Sequence, residues 1–117
     1  MKKVIVIPAR IDSSRLPKKV LLDLKGKTVI QRVYEQCLKV ANIDAVYIAT
    51  DSNEIKEVCN SFTGDVIFTK STHQSGTDRI GEAVALIDCD IVINVQGDEP
   101  FIAPALIDEL VNSFENS

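Results

Sequence analysis

Two short runs of opposite charge, each just beyond an apolar stretch, hold the residue types from which a phosphate site is built. The first, ARIDSSRLPKK, follows Val4 to Ile7. It sets Arg10, Arg15, Lys18 and Lys19 close together and adds Ser13 and Ser14 as neutral hydrogen-bond partners. Planar guanidinium forks take two phosphate oxygens at once, while lysine supplies a mobile point charge. The mixture suits a triphosphate and the pyrophosphate it leaves behind. The second run, QGDEP, follows Ile91 to Val95 and sets Asp98 and Glu99 where a carboxylate must face water, a cation or a hydrogen-bond donor. Magnesium takes one or two carboxylates with phosphate oxygens and waters, so a single aspartate opposite a basic loop makes a coherent metal site. Neighbouring residues of an extended segment point opposite ways, so one of Asp98 and Glu99 is expected to face the phosphates. Each run also has a plain structural reading, as a solvated basic loop and as an acidic turn before Pro100.

A third polar run, TKSTHQSGTDR, carries the sole histidine, His73, beside Gln74, Ser75, Gly76, Thr77, Asp78 and Arg79. These side chains have the donors and acceptors to read a base edge. Equally, Ser75 or Thr77 serves as an N-cap and Asp78 as a first-turn residue matched to the helix dipole. No nucleophile motif accompanies the histidine, so hydrolase chemistry has no support. Two better-known phosphate motifs fail. Gly26, Lys27 and Thr28 end like a Walker A motif, but its earlier glycine is Leu21 here, and no GxGxxG occurs. Gly26 reads instead as a turn residue, with Lys27 exposed.

The elements that must position these runs alternate. Val4 to Ile7 is a β-branched run ended by Pro8, the pattern of a strand buried on both faces of a parallel sheet. Val29, Ile30, Val33, Tyr34, Cys37, Leu38 and Ala41 follow helical spacing. Ala45 to Ala49 is a second strand, and Asp51 with Glu54 resembles a capping box opening a helix to about Asn60. Gly64 suits a turn. Val66 to Phe68 is a third strand, Thr77 to Ile87 a helix with Ile80, Ala83, Val84 and Ile87 on one face, and Ile91 to Val95 a fourth strand. Pro104 opens a last helix with a stripe of Leu106, Ile107, Leu110, Val111 and Phe114, followed by a polar tail from Asn112. Strands alternating with helices predict right-handed crossovers and a parallel α/β sheet covered on both faces. Ligands of such sheets bind beyond the carboxyl ends of the strands, where all three polar runs lie.

With 117 residues, of which 45% are hydrophobic, the chain has material for one domain. A net charge of −4 argues against a broadly basic nucleic-acid surface, so any phosphate site is local. The first apolar stretch is too short for a membrane span or a secretory signal, which makes the cytoplasm the default compartment. Cys37, Cys59 and Cys89 are odd in number and widely spaced, and read as buried free thiols.

The runs IPARIDSSRLPKKVLLDLKGK, IATD, THQSGTDR and INVQGDEPFI, in this order, resemble the CMP-Kdo synthetases over nearly the whole chain. The opening run is also similar to cytidylyltransferases of spore-coat and sialic-acid type, whereas HQSGTDR and QGDEP are the specific ones. The resemblance implies a three-layer α/β/α fold of nucleotide-diphospho-sugar transferase type. It also implies transfer of CMP from CTP to the anomeric hydroxyl of 3-deoxy-manno-octulosonate (Kdo) for lipopolysaccharide synthesis. On that basis Arg10, Arg15 and Lys19 hold the triphosphate, and Asp98 binds magnesium. Gln96 lies near the sugar acid, and Ala9, Ser14, Lys70 and Ser75 surround the cytosine and ribose. The sequence departs from the family at Lys18, usually glycine, and at Val20, usually proline. In the middle loop Lys70 and Thr72 replace the usual arginine and aspartate, which leaves open a related sugar acid as acceptor. Members are about twice this length, so the chain is expected to be an N-terminal portion of a protein that forms a homodimer. A spore-coat-type enzyme and a noncatalytic fragment are the alternatives.

Overall fold

A computed structural model of the chain describes residues 2–10, 19–63, 65–69, 76–87, 89–97 and 100–115, with the backbone alone at 19, 76–80 and 114–115. Its centre is β1 (Lys3–Ala9), flanked on one side by β4 (Ala45–Thr50) and then β5 (Val66–Phe68), and on the other by β6 (Ile91–Asn94). All three pairings are parallel. The helices are α1 (Val29–Leu38), α2 (Asn53–Asn60), α3 (Gly76–Ala85) and α4 (Pro104–Glu115). Between β1 and α1 come a short 3-10 turn, Lys19–Leu21, and a hairpin of β2 (Asp23–Leu24) and β3 (Lys27–Thr28).

The alternation of β1 splits the core in two. Ile5, Ile7 and Ala9 join a large cluster with Ile30, Val33 and Cys37 of α1, Ile55 of α2, and Ile107 and Val111 of α4. Val4 and Val6 face the other way, onto Ala49 and Ala83 of α3. Right-handed crossovers account for this division: the chain first steps outward from β1 to β4 and β5, then returns past β1 to β6, so α3 takes the opposite face from α1 and α2.

Several boundaries differ from expectation, each for a local reason. The first strand does not stop at Pro8 but runs through it to Ala9, with Pro8 paired in register to Ala49. In a parallel sheet, successive residues turn their N–H and C=O alternately to the two neighbours. Val6 accepts from the Val95 N–H at 3.2 Å on the β6 side. Pro8 therefore also faces β6, whose pairing to β1 ends at Val6, and no ladder donor is lost there. The N-cap of α2 is Ser52, whose hydroxyl accepts from the Ile55 N–H at 3.2 Å, in place of a box built on Asp51. This register makes Ile55 the third helical residue and leaves Glu54 to favour the helix dipole in the first turn.

Helix α1 closes at Leu38, and Leu38 is exposed because it lies just past the stripe that Cys37 completes. Helix α4 runs through Asn112 to Glu115, where a polar tail was expected. Of its stripe, Ile107 and Val111 are buried in the large core cluster while Leu106 is 61% and Leu110 is 47% exposed, so only part of the apolar stripe of α4 is covered. Cys37 and Cys59 are buried as expected, but Cys89 is half-buried beside the smaller cluster. The turn expected at Gly64 lies outside the described residues.

Candidate active site

The strand order brings together the two strand ends from which the charged runs depart. The order in which strands are added reverses between β1 and β6, because the crossover from β1 leaves toward β4 whereas β6 is reached from β5 across the other face. Such a reversal opens a crevice outside the carboxyl ends of the two strands. Arg10 stands at one lip, immediately past β1, and Gln96 at the other, two residues past β6. Both are exposed.

Period-two alternation decides what faces the crevice. Ile93, Val95 and Gly97 are buried, while Asn94 and Gln96 project outward between them. The Gln96 amide lies 3.5 Å from the Asn94 side-chain oxygen. Ala9 is only 1% exposed and its side chain belongs to the core cluster, while Arg10 beside it is exposed. At the ends of the neighbouring strands, Thr50 and Thr69 are the buried polar residues, and the Thr69 N–H donates to the Thr50 carbonyl at 2.8 Å. The Thr50 hydroxyl accepts from the Ser52 N–H at 3.2 Å, which ties the end of β4 to the cap of α2.

Of the residues singled out by sequence, the structure thus brings Ala9, Arg10 and Gln96 to one end of the sheet. Lys19 is the first residue of the 3-10 turn that packs beside α1, and is described by its backbone. Ser14, Arg15, Lys70, Ser75 and Asp98 lie outside the described residues, as does His73. Gly97 makes a close backbone approach at the site, with no role assigned to it by the sequence. A Cβ built on it would stand 2.9 Å from the Pro8 carbonyl oxygen, 3.4 Å from Ile30 Cδ1 and 3.5 Å from Ala9 Cβ. The available signal was a glycine between a buried strand and an acidic residue.

A cavity of about 390 Å³ lies elsewhere, between the hairpin and the outer side of α1. Arg32, Glu35 and Lys39 in its lining are already engaged. Arg32 donates to the carbonyls of Leu24, at 2.9 and 3.1 Å, and of Lys25, at 2.7 Å. Lys39 donates to Gln36 Oε1 at 2.8 Å. Nearby, Lys27 is half-covered and grips Glu35 at 2.8 Å, where sequence reading had it exposed. These bonds brace the hairpin, whose turn needs a left-handed backbone at Lys25 and Gly26, with φ of 56° and 93°. The cavity is therefore part of the support and not of the crevice.

Among the described residues no three carboxylate, thiol or imidazole groups converge. No helix among the described residues is long and apolar enough to cross a membrane.

Comparison with known proteins agrees with this geometry. The chain is 47% identical over 115 residues to 3-deoxy-manno-octulosonate cytidylyltransferase of Escherichia coli, covering 98% of this chain and 47% of that protein. It is 57% identical over 101 residues to the protein of the same name from Francisella tularensis subsp. novicida, covering 84% and 40%. A solved structure of CMP:2-keto-3-deoxy-manno-octonic acid synthetase complexed with CTP superposes with a TM-score of 0.97 at 46% identity, over 100% of this chain and 48% of that one. A cytidylyltransferase from Leptospira borgpetersenii follows at a TM-score of 0.84 and 25% identity. The chain spans about half the length of the curated relatives it matches. The family model described as cytidylyltransferase matches residues 4–117, and the chain belongs to that family.

Proposed function

We propose that the chain forms the nucleotide-binding part of a cytoplasmic enzyme that transfers CMP from CTP to the anomeric hydroxyl of Kdo, for lipopolysaccharide synthesis. The observation that carries this reading is the meeting of the β1 and β6 ends at the point where the sheet reverses. The basic run leaves the chain just past one of these ends and the acidic run just past the other. The family relationship supplies the substrate pair: the E. coli relative is named for Kdo, and the synthetase structure holds CTP.

In this reading the sugar hydroxyl attacks the α-phosphorus of CTP, an oxygen–phosphorus bond forms, and the bond to the β-phosphate breaks. Pyrophosphate leaves with the electron pair. Arg10, Arg15 and Lys19 hold the triphosphate and neutralise the charge that grows on the leaving group, the arginines as two-point forks. Asp98 is the carboxylate for magnesium, which when bound withdraws charge from phosphate oxygens and lowers the pKa of a coordinated hydroxyl. Gln96 lies toward the sugar acid, with Ala9, Ser14, Lys70 and Ser75 around the cytosine and ribose. The whole protein acts as a homodimer.

The test is titration of the protein with CTP, with and without magnesium, followed by a pyrophosphate-release assay on adding Kdo. Release that needs CTP, Kdo and magnesium together is expected. Asp98→Ala is expected to remove the magnesium dependence while leaving far-UV circular dichroism unchanged. Release with a different sugar acid alone would reassign the acceptor, and unaltered turnover in Asp98→Ala would remove the metal role.

A further inference from the structure

Glycine at position 97 answers a demand for space. The positive-φ glycine among the described residues is Gly26, so Gly97 has a backbone that other residues adopt. What it lacks is room, since a Cβ would lie 2.9 Å from the Pro8 carbonyl oxygen, inside the distance that real Cβ contacts reach. The Ile30 methyl at 3.4 Å can turn aside, but the carbonyl cannot. Pro8 is held by its ring and by its pairing to Ala49 in the middle of the sheet. By contrast, a Cβ on Gly81 in α3 meets nothing within 4 Å.

The two residues in this contact are each next to a charged run. Pro8 and Ala9 lead directly into Arg10, and Gly97 directly precedes Asp98. We infer that Gly97 is a positioning residue that sets the separation between the backbone leading from β1 into Arg10 and the backbone leading from β6 toward Asp98. The absent side chain lets one backbone rest on the other, which in the proposed reaction keeps the phosphate-binding groups in reach of the magnesium carboxylate. This inference rests on the nucleotidyltransferase reading above. It predicts that an added methyl group disturbs the cooperation of the two loops more than either loop alone.

The experiment measures CTP affinity with and without magnesium for the parent protein, Gly97→Ala and the control Gly81→Ala, with thermal melts alongside. In Gly97→Ala the magnesium-free affinity is expected to stay within about twofold of the parent, while the gain on adding magnesium shrinks by about tenfold or more. Gly81→Ala keeps the full gain. Adding Ile30→Val to Gly97→Ala restores nothing, because the hard contact is a main-chain carbonyl. Should Gly97→Ala fail to fold, Pro8→Ala is titrated: it removes the ring that holds the carbonyl against Gly97 and is expected to cut the magnesium gain by roughly threefold. A full gain in folded Gly97→Ala, or in Pro8→Ala where that variant replaces it, overturns the inference. So does equal weakening with and without the metal. A parent protein without any magnesium-dependent CTP binding overturns the functional reading first and the inference with it.

Discussion

The three cysteines illustrate how one residue type takes its chemistry from its place. Cys37 and Cys59 sit on the inner faces of α1 and α2, where burial pushes each thiol up to about 12. A thiolate is the reactive form, so neither attacks a disulfide reagent at neutral pH while the chain is folded. Cys89 is half-buried at the entry to β6. An aromatic disulfide reagent at about pH 8 is therefore expected to titrate one thiol in the native protein and all three in denaturant. Two fast equivalents in the native state would place Cys37 or Cys59 wrongly. The sequence showed that the thiols were unpaired, since odd number and spacing are properties of the chain. Degree of burial was not readable, because it depends on which residues of another element arrive above each one. Gly97 was obscure for the same reason: its constraint is a carbonyl far away in sequence.

At the scale of elements, α1 is held at both ends. Thr28 caps it by accepting from the Gln31 N–H at 3.3 Å. Beyond its far end, Asp108 of α4 accepts from the Ala41 and Asn42 N–H groups at 3.2 and 3.1 Å. Its outer side is tied to the hairpin by Glu35, whose carboxyl is held below its ordinary value near 4.5, chiefly by the hydrogen bond from Lys27. A carboxyl with a lowered folded pKa stabilises the fold above its unfolded pKa, and that contribution is lost as pH falls through the folded value. Both partners are partly exposed, so the effect is modest. Melting curves should show Glu35→Gln less stable than the parent at about pH 6, with the gap closing by about pH 3. A gap that widened in acid would contradict the pairing. Helical spacing revealed α1 and α4 readily, yet it could not separate buried Ile107 and Val111 from exposed Leu106 and Leu110. A stripe records every apolar position, whatever covers it. The end of β1 was similarly hidden, because Pro8 is tolerated only through the place where the β6 ladder stops.

For the molecule as a whole, alternation of strand and helix announced a parallel sheet, but not that β6 would lie against β1. That adjacency creates the crevice, and it came from the crossover rule acting on the whole chain. It also ties together distant residues: the Lys2 N–H donates to Asp90, 88 positions away, and the Lys3 N–H to Asp44, 41 positions away. Pairings so far apart must close long loops before they contribute, which slows folding. Stopped-flow refolding is expected in the range of about milliseconds to seconds, and completion within microseconds would be at odds with this topology.

The central place of β1 has a consequence for synthesis on the ribosome. Lys3–Ala9 leaves the exit tunnel before any other described strand, yet its second edge gains a partner only when Ile91–Asn94 has emerged. At translation speeds of about 5–20 residues per second, a strongly apolar strand waits several seconds with one side open. Early pairing with β4 shortens that exposure on one edge only. The nascent chain is thus most vulnerable to chaperone capture or aggregation just before the segment bearing the acidic run appears, and the same event that covers β1 completes the crevice.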